Sequence, residues 1–203
     1  MLSLPTDYII NAPSRDLSLK LAAGEQRRLV VISLQESADY HIAVDLTGAD
    51  SRVEIYGLSM GGAIHTEVRH LVPDTSSQQL VKFILPAEKH GSFFGQLYIA
   101  PDAQRTDAGQ VNRNLLLDPS ATMSTKPQLE IYADDVRAGH GASTGMLDLS
   151  ALYYMAQRCI DPVTAKKLLI GAFAAEVLDG MEDTALRDSV ATEFDEVLQR
   201  LTI

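Results

Sequence analysis

The chain has 203 residues, 46% of them apolar, and a formal net charge of −10 at pH 7. A chain of this length buries enough apolar surface to fold without disulfides or a structural metal. Its acidic charge argues against the phosphate backbone of nucleic acid as a partner. The single cysteine, Cys159, excludes an internal disulfide and indicates a reducing compartment, which we take to be the cytoplasm. The N-terminal residues lack the pattern of a signal peptide, and no apolar stretch approaches the ~18 residues that a membrane helix needs.

Short apolar runs, rich in β-branched and aromatic residues, dominate the chain between about Leu29 and Asp135. Turn residues separate the runs and no helical pattern lies between them, which predicts an all-β region. A sandwich, a barrel and a solenoid all fit, because the spacing of the runs is irregular. The segment 63–72 fits either a helix or a strand. The predicted strands are Leu29–Leu34, His41–Leu46, Arg52–Leu58, Leu80–Leu85, Phe93–Ile99, Val111–Leu117 and Leu129–Ala133.

The apolar period changes to 3.6 residues from Asp148 onward, which predicts three helices. Asp161 is the predicted N-cap of the second helix, with Pro162 as its first residue and Gly180 as its stop. Asp183 is predicted to cap the third helix. The outer faces of the helices are acidic, which fits either a solvated face or a docking surface. The apolar faces comprise Leu149, Leu152, Tyr153 and Ala156, then Ala165, Leu168, Leu169, Ala172, Phe173 and Val177, then Leu186, Val190, Phe194, Val197, Leu198 and Leu201.

One motif suggests an enzyme. The segment Gly57–Gly61 fits the G-x-S-x-G nucleophile elbow, which would make Ser59 the nucleophile of a serine hydrolase. That elbow requires a strand before the serine and a helix after it. The downstream Asp134, Asp135 and His140 lie unusually close together for triad partners, and no alternating βα pattern supports the fold. A serine hydrolase therefore stays the alternative function.

The histidines show no metal-ligand spacing, so a closed metal site within this chain is not expected. If the segment 63–72 is a strand, His65 and His70 lie on opposite faces. Asn112 and Asn114 are expected to point inward, where asparagines of successive coils would form a ladder in a solenoid. Cys159 is expected to be packed as a small apolar residue.

An ordered series of motifs from about Val68 to Asp179 resembles the SufB/SufD family of iron–sulfur cluster assembly proteins. The residues that carry the resemblance are Pro73–Ser77, Ala103–Ala108, Val111–Leu117, Thr125–Val136, Gly139–Ala142, Gly145–Asp148, Ala151–Tyr154, Arg158, Leu168–Ile170 and Ala172–Val177. Such a series is far more specific than any single short motif above.

The resemblance implies a mainly β fold, a right-handed parallel β-helix over residues 1–147, followed by a small α-helical domain over residues 148–203. It also implies a non-catalytic scaffold subunit of the SufBCD complex. Members of the family pair through the edges of their β-helices, so a SufB-like subunit is an expected partner and a homodimer is expected for the chain alone. The helical domain is expected to dock a SufC-like ATPase. We assign that contact to Leu152, Tyr153, Leu168, Leu169, Phe173 and Glu176.

The family also implies one candidate cluster-assembly residue. SufD members often carry Cys-x-His after the Asp-Asp-Val segment. Here His140 keeps the imidazole, while Ala138 stands where the cysteine would be. A single cysteine in the whole chain implies a SufD-like member with no intrinsic cofactor. A transient iron–sulfur cluster at the partner interface would then take its thiolates from the partner. A glycan-binding solenoid is a third candidate, but it needs an aromatic strip, and the chain has no Trp.

Overall fold

The computed structural model describes residues 4–34 and 38–201. Within these ranges the chain forms strands over most of its length and then turns to helices. The strands are β1 Thr6–Ile10, β2 Arg15–Leu21, β3 Gln26–Ser33, β4 Ala38–Leu46, β5 Arg52–Ser59, β6 Gly62–His70, β7 Ser76–Leu85, β8 His90–Ile99, β9 Asp107–Leu116, β10 Thr122–Ile131 and β11 Arg137–Gly145. The helices are α1 Leu149–Ala156, α2 Pro162–Leu178 and α3 Thr184–Arg200.

The strands form two parallel sheets. Odd-numbered strands form sheet A in the order β1-β3-β5-β7-β9-β11, and even-numbered strands form sheet B in the order β10-β8-β6-β4-β2. Each coil of the chain therefore adds one strand to each sheet, which makes a β-solenoid and confirms the predicted fold class. Arg52 pairs with Ser76, and Ser76 pairs with Asp107, so successive coils differ in length by several residues. That irregularity explains why the sequence shows no clear repeat.

The interior of the solenoid is apolar along most of its length. In sheet B, Val44, Val68 and Leu97 pair in register on neighbouring strands, and all three are fully buried. Each such side chain contributes about 1.5–3 kcal/mol by leaving water. Stacking like side chains at the same register is how a coil that cannot fold alone gains a continuous core.

The helices cover the outer face of sheet A. Ile32, Leu58 and Ile84 point out of that sheet and form a second apolar cluster with Ile170 and Val177 of α2, among others. The central strands of sheet A are therefore buried on both faces, which is why β3 contains the uninterrupted buried run Leu29–Ile32.

A network of charged side chains fastens the α2–α3 turn to the first coils. The guanidinium of Arg28 donates to Glu54 on β5, to Glu182 and to the carbonyl of Gly180. The hydroxyl of Tyr8 accepts the backbone N–H groups of Glu182 and Asp183, at 3.1 Å each. The helical segment is thus held against the solenoid by polar contacts as well as by its apolar face.

The helix starts are those the sequence predicted. The side chain of Asp161 accepts the N–H groups of Val163 and Thr164, and that of Asp183 accepts the N–H of Leu186. Gly180 follows the end of α2, but without the left-handed backbone of a glycine cap. Its role is spatial, because a Cβ there would meet the ring of Tyr56 at 2.9 Å.

The ambiguous segment 63–72 is the strand β6, followed by a turn. Its side chains alternate, so His70 is buried inside the solenoid and His65 lies on the outer face of sheet B. The described residues contain no helix that is both long and apolar enough to cross a membrane.

Candidate functional site at the open end of the solenoid

The last coil of the solenoid is uncovered. Strand β11 is hydrogen-bonded only to β9, and β10 only to β8, so each strand leaves one edge free among the described residues. Nearly every residue of β11 is exposed, in contrast to the buried strands of the earlier coils. A row of free backbone N–H and C=O groups is a template for pairing with another chain.

His140 lies on this free edge strand. It pairs in register with Gln110 of β9, whose side chain is buried in the interior. Ala138, two residues before His140, packs against the core, and Thr144, four residues after it, accepts a hydrogen bond from buried Asn114. Because side chains alternate along a strand, His140 belongs to the inward-facing set and stands over the open mouth of the coil.

In the described part of the chain, strand β11 brings the imidazole of His140 to the open mouth and has an alanine, not a thiol, at position 138. Ala138 pairs with Ala108, so neither strand offers a sulfur there. Among the residues that the structure describes, no group of three histidine, cysteine or carboxylate side chains is gathered for a metal ion. Cys159 is exposed in the turn between α1 and α2, with φ of 59°, so the expectation that it is packed was wrong.

Polar side chains fill the interior just below the mouth. The amide of Asn114 donates to the side-chain oxygen of Asn112, which also accepts from Thr125 of the opposite sheet. Asn112 donates in turn to the carbonyl of Val81 one coil below. The two asparagines point inward as expected, but their register partners in the neighbouring coils are Val81, Phe83, Ala142 and Thr144 and not asparagines. The predicted ladder of asparagines from successive coils is therefore wrong.

An exposed apolar surface adjoins the open end. Helix α1 has no buried residue; Leu149 is 79% exposed and Tyr153 is 68% exposed. The large apolar side chains that are exposed between the end of β11 and the first half of α2, which we call the apolar helix surface, are Met146, Leu149, Tyr153, Tyr154, Val163 and Leu168. A group of large apolar side chains on a helix that packs so little of itself is typical of a protein-binding surface.

The six residues assigned to the ATPase contact fall into two groups. Tyr153 and Leu168 are exposed, and Leu152 and Leu169 are partly buried. The other two make contacts within the chain. The ring of Phe173 lies under the ammonium group of Lys82 on β7, and the carboxylate of Glu176 pairs with Lys82 and with Arg113 of β9. The face of α2 that carries these two residues is turned toward sheet A.

The predicted hydrolase site is not formed. Ser59 is buried, and its hydroxyl donates to the carbonyl of Gly61 within a tight turn. The chain continues into strand β6 where the elbow requires a helix. Of the two motif glycines, Gly57 lies within β5 and Gly61 lies in the turn, where the next residue, Gly62, has φ of 76° and leaves no room for a Cβ against the backbone of Ala38.

Comparison with known proteins decides the family. Residues 17–173 match the family described as SUF system FeS cluster assembly, SufBD core domain. This chain belongs to the SufBD core family. The match covers β2–β11 and runs into α2, so the SufBD core includes both the solenoid and the start of its helical cover.

Three curated relatives are similar to most of this chain, and two of them are named as SufD or SufBD family proteins. The iron–sulfur cluster assembly protein SufD of Escherichia coli (strain K12) is 34% identical over 164 residues, which are 78% of this chain and 39% of that protein. The chloroplastic protein ABCI7 of Arabidopsis thaliana is 38% identical over 126 residues, 62% of this chain and 26% of that protein. A SufBD family protein of Synechocystis is 37% identical over 115 residues, 57% of this chain and 25% of that protein. The chain spans less than two fifths of the length of each.

Two features of the structure were not predicted from the sequence. One is buried Lys82, which only the packing of α2 on sheet A reveals. The other is the contact between the rings of His41 and His65, at 4.4 Å between centroids. These histidines are 24 positions apart in the chain but are direct register partners. A coil length of 24 residues at this point would have predicted the pair, but coil lengths vary along the chain and could not be read from the sequence.

Proposed function

We propose that this chain is a non-catalytic scaffold subunit of a SUF-type iron–sulfur cluster assembly complex. In this proposal the open end of the solenoid pairs with a SufB-like subunit, or with a second copy when the chain is alone. The apolar helix surface docks a SufC-like ATPase. The observation that carries the proposal is that a SufBD core ends in a free edge strand beside an exposed apolar helix. Pairing at a sheet edge and burial of an apolar surface are both standard ways to bind a protein.

The docking proposal is tested best by point substitution, because the helices bury apolar side chains of sheet A. Removing residues 148–203 would expose Ile32, Leu58 and Ile84, and loss of binding would then reflect damage to the fold. We expect Tyr153→Lys combined with Leu168→Lys to weaken co-purification with the SufC-like ATPase at least tenfold. Both side chains are more than half exposed, so the variant is expected to keep its melting temperature.

The matched control is Asp195→Lys, an exposed position on α3, a helix that carries no residue of the apolar helix surface. It also adds positive charge, so it separates loss of the apolar contact from a general change of charge. If the double variant and the control bind the ATPase as well as the unchanged chain does, the docking proposal is wrong.

We assign His140 to the handling of the cluster, which is the cargo of the assembly. One imidazole does not bind a cluster alone, so the remaining ligands come from the partner. We expect His140→Ala to leave folding unchanged, because the residue is exposed, and to lower the iron–sulfur absorbance of the reconstituted complex severalfold. His90→Ala, which removes an exposed imidazole from sheet B, is the control. An unchanged cluster yield with His140→Ala would restrict His140 to a structural role.

A further inference from the structure

The outer face of sheet B carries an unusual row of side chains. The strand register aligns Asp16 of β2 with His41, His65, Phe94 and Lys126 of the following strands. The helices pack on sheet A, so this row lies on the opposite side of the solenoid from them. Its two histidines border a groove of about 310 Å³ whose lining includes Asp16, Glu67 and Phe94.

The rings in this row are stacked along the sheet. The centroids of His41 and His65 lie 4.4 Å apart with the planes inclined by 36°, and those of His65 and Phe94 lie 5.9 Å apart. The register and the short centroid distance therefore place the two imidazoles side by side at the groove. Within residues 4–34 and 38–201, neither imidazole has a hydrogen-bond partner.

The surroundings of the pair favour a cation over an anion. Asp39 lies two residues before His41 on the same face, Glu67 lies two residues after His65, and Asp16 lies beside His41. These three carboxylates surround the two imidazoles with negative charge, which attracts a cation.

We propose that His41 and His65 together bind one divalent transition-metal ion of the zinc, nickel or ferrous class. Imidazole nitrogens suit these metals, and the nearby carboxylates add charge without thiolate. An imidazole binds a metal ion in the plane of its ring, so the two rings, whose centroids lie 4.4 Å apart, rotate about their side-chain bonds to direct one nitrogen each at the ion. Since no third ligand is already in place among the described residues, the site is open, and water or a nearby carboxylate completes it. The site is separate from the open end and does not depend on the proposed function.

The test is calorimetric titration of the full chain with Zn²⁺. Cys159 is an exposed thiol that would bind zinc by itself, so every protein carries Cys159→Ser. We expect one Zn²⁺ per chain, with the affinity lowered at least tenfold by His41→Gln and by His65→Gln. The controls His90→Gln and His140→Gln, each of which removes an exposed imidazole elsewhere, are expected to bind as before.

A second measurement protects the result from any effect of the substitutions on folding. In the Cys159→Ser protein with all its histidines, Zn²⁺ is expected to shift or broaden the imidazole NMR signals of His41 and His65. The signals of buried His70 are expected to stay in place. The proposal is overturned if no saturable one-to-one binding is found, if the His41 and His65 variants bind equally well, or if only His140→Gln abolishes binding.

Discussion

His70 shows how a single residue sets a pH dependence for the whole fold. Its side chain is fully buried inside the solenoid, where Nδ1 lies 2.8 Å from the hydroxyl of Thr75 and Nε2 lies 2.8 Å from that of Ser77. Burial lowers the pKa of His70 to about 4, because no anion compensates a charged imidazole in this position. The folded chain therefore holds a neutral histidine over a pH range in which the unfolded chain protonates it.

We predict that the free energy of unfolding falls as the pH is lowered from 7.5 to 5. The unfolded histidine binds a proton near pH 6.5 and the folded one only near pH 4, so the unfolded state binds more protons in this window. The stability that the neutral His70 contributes is fully present above pH 6.5 and is lost progressively as the pH falls to 4. The loss by pH 5 is about 2 kcal/mol, measurable by urea unfolding at each pH.

The control for this prediction is a comparison of two substitutions. His70→Asn lowers stability at pH 7.5 but is expected to flatten the slope between pH 7.5 and 5, whereas His90→Asn, at an exposed site, should keep it. His65 adds a smaller effect of the same sign, since its pKa is also lowered. Equal slopes in the His70 variant and the unchanged chain would show that another group controls this window.

Predictions of which side chains face outward were correct where the two-residue alternation of a strand applies. Once 63–72 is a strand, alternation alone places His65 outside and His70 inside, as the structure confirms. Cys159 shows the opposite case. Its surroundings in the sequence are helical and apolar, but it lies in the turn between two helices, where neither period applies.

At the scale of elements, the apolar strands of the interior were predictable and the polar ones were not. Strand β11 has three glycines and no large apolar residue, and it is held by its backbone pairing with β9, so no pattern marks it. Strand β10 begins at Thr122, before the predicted Leu129, because its first half is polar and lies at the open end. Strand β2 alternates Leu17, Leu19 and Leu21 and was detectable. The helix caps were correct because an Asp before a helix acts locally.

The contact between α2 and sheet A contains an ion pair that is buried on one side only. Lys82 is 2% exposed, while the side chain of Glu176 is 48% exposed. The ammonium donates to the carbonyl of Phe173 at 2.7 Å and to Glu176, which also pairs with Arg113. The hydrogen bond from Lys82 is the main cause that lowers the pKa of Glu176. Because the buried partner is the cation, replacing Glu176 and replacing Lys82 are expected to change the free energy of unfolding by different amounts.

We predict that Glu176→Ala destabilises the chain by about 2 kcal/mol, because it leaves a buried ammonium without its counter-ion. Lys82→Met keeps the volume and removes the charge, so its effect is expected to stay within about 1 kcal/mol. Urea unfolding of the two variants and of the double variant checks this. If Lys82→Met costs as much as Glu176→Ala, the ion pair itself stabilises the packing of α2, contrary to this account.

For the whole molecule, both ends of the solenoid leave strand edges free among the described residues, since β1 and β2 are also paired on one side only, but the helical cover differs between the ends. The first coils are covered by the charged network of Arg28, Glu54 and Glu182 and by the α2–α3 turn. The last coil has no such cover among the described residues. Its strand β10 carries Lys126 and Pro127, but β11 carries neither lysine nor proline, the usual protections of a free edge. An unprotected edge strand tends to pair with other chains, so we expect a partner chain to cover β11. The sequence alone did not show this asymmetry, because it depends on which coil the helices cover.

This edge gives a sharp test of pairing between copies of the chain. The N–H of Arg137 donates to Thr106 beside β9, so alternate residues from Arg137 point toward β9, and Ala138, His140, Ala142 and Thr144 direct their N–H groups outward. We predict that Ala142→Pro removes an outward donor, leaves the bonding to β9 intact, and shifts the chain from dimer to monomer in sedimentation while the melting temperature changes little. Ser143→Pro, one residue later, removes a bond to β9 and should instead lower the melting temperature. Dimerisation unaffected by Ala142→Pro would place the interface away from β11, and the helical surface would become the site to examine.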